Sequence, residues 1–172
     1  ALAEKAFTLA YGNLKEAHTT PGESRAKERM LLASCLAGMA FNPAGLGASH
    51  ALAHALGGRY NLPHGVCNAV LLPYVLAFHL RCPVCQRRLP RVARAMGLEE
   101  ETPQAVIGAV RALNRQIGIP GGLSELEGVD PAHFSELAKL ALQDVCMASD
   151  QLDPTEAEVA AVYLAAWRQA EV

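Results

Sequence analysis

Apolar residues recur along most of the chain at intervals of three and four positions, the spacing that gathers them on one face of an α-helix. Clusters of proline and glycine interrupt the pattern, as these residues do where helices end. The pattern predicts eight helices, at about residues 1–14, 23–39, 46–56, 64–80, 83–96, 102–117, 131–146 and 155–170. The segment 57–63 is predicted as a loop because it contains two glycines and a proline. We therefore expect an all-α helical bundle that forms one domain over residues 1–172.

Composition agrees with this fold class. The chain has 31 alanines and 24 leucines, whereas aromatic residues make up only 5%. Large sheets favour β-branched and aromatic side chains, so the composition argues against a fold built on one. The 51% hydrophobic content is enough for a packed core and excludes intrinsic disorder.

Charge and hydropathy exclude two classes of function. A formal net charge of −2 argues against binding nucleic acid through its phosphates. The longest apolar stretch, residues 66–80, is shorter than the roughly 18 to 20 residues that cross a bilayer. No secretory signal is visible, so we expect a cytoplasmic protein with reduced thiols. The five cysteines are Cys35, Cys67, Cys82, Cys85 and Cys146.

The first predicted helix lacks a capping residue. No Ser, Thr, Asp or Asn precedes Leu2, although the helical pattern is already established there. The sequence predicts that the chain starts inside a helix whose earlier turns are missing, with a processed or trimmed terminus as the alternative.

Three of the six histidines lie within 15 residues and predict a metal site. His50 and His54 are four residues apart, which places both imidazoles on one face of a helix. His64 follows a Gly-Gly turn and opens the next helix, so that its ring can point back at the pair. Neutral imidazole suits Fe, Zn, Ni or Cu. A pair of surface histidines is the alternative, and the nearest acids in sequence, Glu28 and Glu99, offer no further ligand.

Two other patterns favour structural roles. Cys82 and Cys85 form a C-x-x-C that lacks both a second pair and a βαβ context. Tyr163 and Trp167, four residues apart, are expected in the core or at a docking surface. A basic stripe is expected to be a solvated helix face, with contact to a partner or acidic ligand as the alternative; it consists of Arg81, Arg87, Arg88, Arg91 and Arg94.

The segment that contains the histidines resembles a known family. Residues 50–73 read H-A-L-A-H-A-L-G-G-R-Y-N-L-P-H-G-V-C-N-A-V-L-L-P, which is similar to the signature of the iron-containing (group III) NAD-dependent alcohol dehydrogenases. That family includes lactaldehyde reductase, butanol dehydrogenase and 1,3-propanediol dehydrogenase. The similarity extends over the entire chain, from the opening helix through L-A-S-C-L-A-G-M-A-F at residues 32–41 to D-V-C at residues 144–146.

The resemblance implies roles for particular residues. The family combines an N-terminal α/β domain that binds NAD(P) with a C-terminal all-helical domain that holds Fe(II), sometimes Zn(II), through an aspartate and three histidines. His50 and His64 match the last two histidine ligands, and His54 matches a catalytic histidine near the nicotinamide. Phe41 and Cys146 match positions that line the substrate pocket in some members of the family. The family's aspartate and first histidine have no counterpart in this sequence, and residues 148–151 depart from many members.

The function implied is that of the metal- and substrate-binding domain of an NAD(P)-dependent alcohol dehydrogenase. Its expected partners are the nucleotide-binding domain of the same enzyme, a small alcohol or aldehyde, and further copies in a homo-oligomer. The isolated chain is expected to be inactive. Two alternatives stay open: a helical interaction or scaffold module without catalysis, and a small metalloprotein that uses His50, His54 and His64 alone.

Overall fold

The computed structural model describes residues 1–170, which contain eight α-helices and no strand. The helices are α1 (Leu2–Thr19), α2 (Ser24–Phe41), α3 (Ala48–Tyr60), α4 (His64–Phe78), α5 (Pro83–Met96), α6 (Pro103–Gln116), α7 (Phe134–Gln143) and α8 (Glu156–Arg168). Four short 3-10 turns connect or extend them, at His79–Arg81, Leu123–Glu125, Pro131–His133 and Val145–Ser149. The all-α fold predicted from the sequence is confirmed. None of these helices combines the length and apolar content needed to cross a membrane.

The main core lies between α3, α4, α7 and α8. Side chains from all four helices are fully buried there, among them Leu52, Leu71, Leu137 and Tyr163. The Tyr163 hydroxyl donates a hydrogen bond to the carbonyl of Leu52 at 2.8 Å, which ties α8 to α3 inside the core. The expectation that Tyr163 is a core residue is confirmed.

A smaller core joins α5 to α6. Its buried members are Leu89, Ala93, Met96 and Val106. The opposite face of α5 is exposed and carries four of the five arginines of the predicted basic stripe, of which Arg91 and Arg94 pair with Glu4 and Glu101. The fifth, Arg81, is exposed in the preceding 3-10 turn and pairs with Glu158. The stripe is therefore a solvated helix face, as expected.

The first two helices form a hairpin through small side chains. The buried residues at this contact include Ala6 on α1 and Ala26 and Ala33 on α2, because alanine lets two helix backbones approach closely. Several larger apolar residues of α2 are exposed, among them Leu31 at 72% and Leu32 at 51%.

Helix α3 extends further than the sequence pattern predicts. The predicted loop 57–63 is helical as far as Tyr60, because Gly57 and Gly58 adopt helical conformations. The helix ends where Asn61 takes the left-handed conformation, with φ of 52°. A Cβ at position 57 would lie 3.3 Å from the carbonyl oxygen of Leu62, so glycine permits the tight reversal that leads into α4.

Candidate active site

The reversal between α3 and α4 brings the three predicted histidines together. The ring centroid of His64 lies 5.4 Å from that of His50 and 5.1 Å from that of His54, with the His54 and His64 rings stacked. The centroids of His50 and His54 are 6.1 Å apart, as expected for one turn of a helix. The sequence argument placed these rings in one cluster, and the structure agrees.

His50 is the most enclosed of the three rings. Its Nδ1 is buried and has no hydrogen-bond partner among residues 1–170. Burial lowers the pKa of His50, and the neighbouring His64 and His54 lower it further. A neutral imidazole with an unsatisfied buried nitrogen has the chemistry of a metal ligand, because a buried polar atom without a partner is otherwise costly. The histidine cluster therefore has the chemistry needed to bind a metal ion.

His64 lies at the first position of α4, one turn before Asn68. The side-chain nitrogen Nδ2 of Asn68 lies 3.0 Å from Nε2 of His64. The same nitrogen donates a hydrogen bond to the backbone carbonyl of His64 at 3.2 Å. These contacts restrict the rotation of the His64 ring. The side chain of His64 is exposed on the same face as that of His54, so the cluster is open to solvent on this side.

An acidic residue that the sequence argument missed completes the cluster. Nδ1 of His54 lies 2.8 Å from Oδ2 of Asp144, a residue 90 positions later in the chain. Partial burial favours a raised pKa for Asp144, but hydrogen bonds from the Cys146 amide and from His54 outweigh it and lower the pKa. The only local signal was the position of Asp144 at the start of a helical turn, where its other oxygen, Oδ1, accepts from the Cys146 amide at 2.8 Å.

Cys146 joins the same group. Single ligand atoms of His54, Asp144 and Cys146 lie within 4.8 Å of one another, a spacing at which a metal ion could be held. Burial raises the pKa of the Cys146 thiol, and the adjacent Asp144 raises it further. The thiol therefore stays protonated at neutral pH, which weakens it as a ligand because metals bind the thiolate.

Helix α3 is fixed to its surroundings by a buried carboxylate near the cluster. The side chain of Asp150 is 3% exposed, and its Oδ2 accepts from the amide of Ala48 at the start of α3 at 2.7 Å. Oδ1 of Asp150 lies 2.9 Å from Nε2 of His79, whose Nδ1 donates to the carbonyl of Val75. The first residue of α3, two positions before His50, is therefore hydrogen-bonded to a carboxylate that is itself fixed by His79.

Phe41 lies elsewhere in the structure. It is exposed at the end of α2 and lines an apolar groove of about 420 Å³ between α1 and α2. The groove is formed mostly by alanines, with Phe7 on its α1 side. Of the two predicted substrate-pocket residues, the structure therefore brings only Cys146 into the histidine cluster.

The sequence and the helical fold both match a known protein family. The family described as "Fe-containing alcohol dehydrogenase family, C-terminal" matches residues 1–167. The chain belongs to this family. Its relatives and solved structures agree with the match over nearly the whole chain.

Two curated members and one crystal structure illustrate the relationship. Alcohol dehydrogenase 4 of Saccharomyces cerevisiae is 43% identical over 94% of the chain, and lactaldehyde reductase of Escherichia coli is 38% identical over 97%. The crystal structure of a 1,3-propanediol oxidoreductase superposes with a TM-score of 0.91 at 39% identity and covers 96% of the chain. The chain spans 42% to 44% of the length of these three proteins. These relatives are oxidoreductases, in agreement with the family resemblance of the sequence.

Proposed function

We propose that the chain is the metal- and substrate-binding part of an NAD(P)-dependent alcohol dehydrogenase that interconverts small alcohols and aldehydes. The observation that carries the proposal is the histidine cluster with its buried, unpartnered Nδ1 of His50, in a chain of this family. The related alcohol dehydrogenase 4 and lactaldehyde reductase support the substrate class.

His50 and His64 are the residues proposed to hold the metal, Fe(II) or alternatively Zn(II). Two imidazoles do not complete a catalytic metal shell, which takes three or more protein ligands. Further ligands would come from the rest of the enzyme. We therefore expect weak metal binding and no dehydrogenase activity from residues 1–172 alone.

The remaining residues of the cluster act on the substrate. A bound Fe(II) would supply Lewis acidity toward the substrate oxygen and a bound nicotinamide would supply the hydride chemistry. His54 is the proposed catalytic residue, because an imidazole can accept the hydroxyl proton near neutral pH. Cys146 is proposed to line the substrate pocket beside His54, and Phe41 to approach it in the assembled enzyme.

The nucleotide-binding domain is the proposed partner of this chain. Large apolar side chains on the outer face of the α1–α2 hairpin support an interface there, since Leu31, Leu32 and Met39 are all more than half exposed. The same surface also suits the alternative of a scaffold module without catalysis. Homo-oligomer formation and a cytoplasmic setting stay predictions from the sequence.

Metal titration tests the proposal. The purified chain is titrated anaerobically with Fe(II) and separately with Zn(II), and the stoichiometry and affinity are measured by calorimetry and elemental analysis. We expect one weakly bound equivalent. His50→Ala and His64→Ala should weaken binding by more than the roughly 10- to 100-fold that outer-shell changes cost in metal sites.

His18→Ala is the control, because His18 is an exposed histidine in the last turn of α1 and should leave the affinity unchanged. Binding that survives both His50→Ala and His64→Ala would refute the proposed ligands. One equivalent retained through desalting would instead favour the self-sufficient metalloprotein. Alcohol-dependent reduction of NAD(P)⁺ on adding a nucleotide-binding domain separates the dehydrogenase from the scaffold module.

A further inference from the structure

The two oxygens of Asp144 have different partners. Oδ1 accepts a hydrogen bond from the amide of Cys146, and Oδ2 lies 2.8 Å from Nδ1 of His54. The first contact anchors the carboxylate to its own chain at the start of the Val145–Ser149 turn, which fixes where the second oxygen points. The orientation of the Asp144 carboxylate is thus set by a contact within its own segment, independently of its contact with His54 on α3.

The contact with His54 determines where the imidazole carries its proton. A carboxylate can only accept a hydrogen bond, so the nitrogen that faces it must be the donor. Among residues 1–170, the hydrogen bonds of the His54 ring involve Nδ1 alone. The lone pair of the neutral ring therefore lies on Nε2.

We propose that Asp144 is the positioning residue of His54, holding the imidazole as its Nδ1–H tautomer so that Nε2 is the base that accepts the hydroxyl proton of the substrate. In this step the substrate O–H bond breaks and an N–H bond forms at Nε2. The ring then carries a proton on each nitrogen, and its positive charge lies beside the Asp144 carboxylate. The catalytic part of the inference rests on the function proposed above, whereas the tautomer does not.

The same geometry argues against Asp144 as a metal ligand. Both of its oxygens already have hydrogen-bond partners, and a metal shared with His54 would have to displace the proton from Nδ1. His50, in contrast, offers a buried nitrogen with no partner. We therefore assign His54 and Asp144 to proton transfer and leave His50 and His64 as the proposed ligand pair.

Nitrogen NMR of the metal-free chain tests the tautomer directly. The chain is labelled with ¹⁵N-histidine, the His54 signals are assigned with His54→Gln, and spectra are recorded well above the free imidazole pKa of about 6.5. We expect the Nδ1–H tautomer for His54 in the wild type. Asp144→Asn should shift the population toward Nε2–H, because an amide can donate to Nδ1 where a carboxylate cannot.

Asp130→Asn is the matched control. Asp130 also starts a 3-10 turn, and its carboxylate accepts from the Ala132 amide at 2.8 Å, but it does not contact a member of the histidine cluster. It should leave the His54 signals unchanged. Wild-type His54 as Nε2–H, or an Asp144→Asn spectrum that matches the wild type, would overturn the proposal.

Zinc titration of the same variants separates positioning from ligation. Asp144→Asn should retain the zinc stoichiometry of the wild type and change its affinity less than His50→Ala does. Loss of zinc binding in Asp144→Asn with retention in His50→Ala would make Asp144 a ligand and refute the inference. The tautomer is measured without metal, so its confirmation in a chain whose metal binding survives both His50→Ala and His64→Ala would refute the proposed ligands alone.

Discussion

Asp150 is a buried carboxylate that joins three segments of the structure at one point. It accepts from the amide of Ala48 at the start of α3, from the amide of Leu152 in its own loop, and from the ring of His79 after α4. Burial opposes the charge on both partners of the pair with His79. Hydrogen bonding outweighs this cost, so that the pKa of Asp150 is lowered and that of His79 is raised. Both shifts favour the ionised pair in the folded chain.

We predict that this pair makes the stability of the fold depend on pH in both directions. Because folding lowers the pKa of Asp150, its contribution is present above the ordinary value of 3.8 and is lost as the pH falls through the folded-state pKa. Because folding raises the pKa of His79, its contribution is complete below 6.5 and is lost as the pH rises through the folded-state pKa. The difference in free energy of unfolding between the wild type and His79→Gln should be largest between these two values.

Urea unfolding across this pH range measures the difference. Asp150→Asn should cost about 3 to 5 kcal/mol near pH 6, the usual penalty for removing one partner of a buried ion pair. Asp153→Asn, at an exposed position three residues away, is the control and should follow the wild-type curve. A His79→Gln difference that is constant with pH would contradict the prediction.

At the level of elements, the connection between α2 and α3 depends on close packing against the Val145–Ser149 turn. Gly45 and Gly47 both have positive φ, at 80° and 71°. A Cβ at Gly45 would collide with the side chain of Ser149, which itself donates to the carbonyl of Cys146. The contact keeps the end of the connection beside the segment that carries Asp144 and Cys146.

We predict that Gly45→Ala destabilises the chain more than Gly22→Ala. Both glycines have similar φ, 80° and 85°, so both substitutions add about 1 to 2 kcal/mol of left-handed backbone strain. Only position 45 adds a steric clash, which costs about 1 to 3 kcal/mol more in packed regions. Position 22 has open space around it. The denaturant midpoints of the two variants measure the difference in stability. Equal midpoints would contradict the prediction, because they would show that the connection accommodates the added Cβ with no loss of stability.

At the level of the whole molecule, the α1–α2 hairpin is attached differently from the rest. Helices α3, α4, α7 and α8 share one core, whereas α2 packs extensively only on α1 among the described residues. Helix α1 in turn contacts α5 and, more weakly, α6. The contacts of α1 with α5 and α6 do not cover the outer face of α2. The packing of α2 therefore depends on one neighbouring helix, α1.

Hydrogen exchange should therefore show α2 as the least protected long helix. Local opening requires less free energy where fewer buried apolar contacts must be broken. Exchange followed by mass spectrometry is expected to give faster exchange for residues 24–41 than for α3 or α4, although all three are regular helices. Helix α8, which has a capping box and a buried Tyr163, is the internal reference. Equal protection of α2 and α8 would contradict this description of the hairpin.

The sequence by itself determined the helices and the histidine cluster. Helices arise from local spacing and from Pro and Gly breaks, and both are visible in a single chain. The cluster followed because His50 and His54 share a helix face and His64 opens the next helix, so only one short reversal is needed. The family followed from the same segment, because residues 50–73 carry its motif and the match extends over residues 1–167.

The tertiary structure decided the contacts between residues that lie far apart in the sequence, because local spacing carries no information about them. Asp144 reaches His54 across 90 residues, through the packing of α7 on α3, and no pattern near the histidines indicates it. The pairing of Asp150 with His79 spans 71 residues and is equally invisible in the local pattern. The length of α3 also depended on context, because Gly57 is helical here at a position where a Cβ would lie only 3.3 Å from the carbonyl oxygen of Leu62. Side-chain contacts of this kind depend on how helices pack, whereas the helices themselves depend on neighbours three and four positions away.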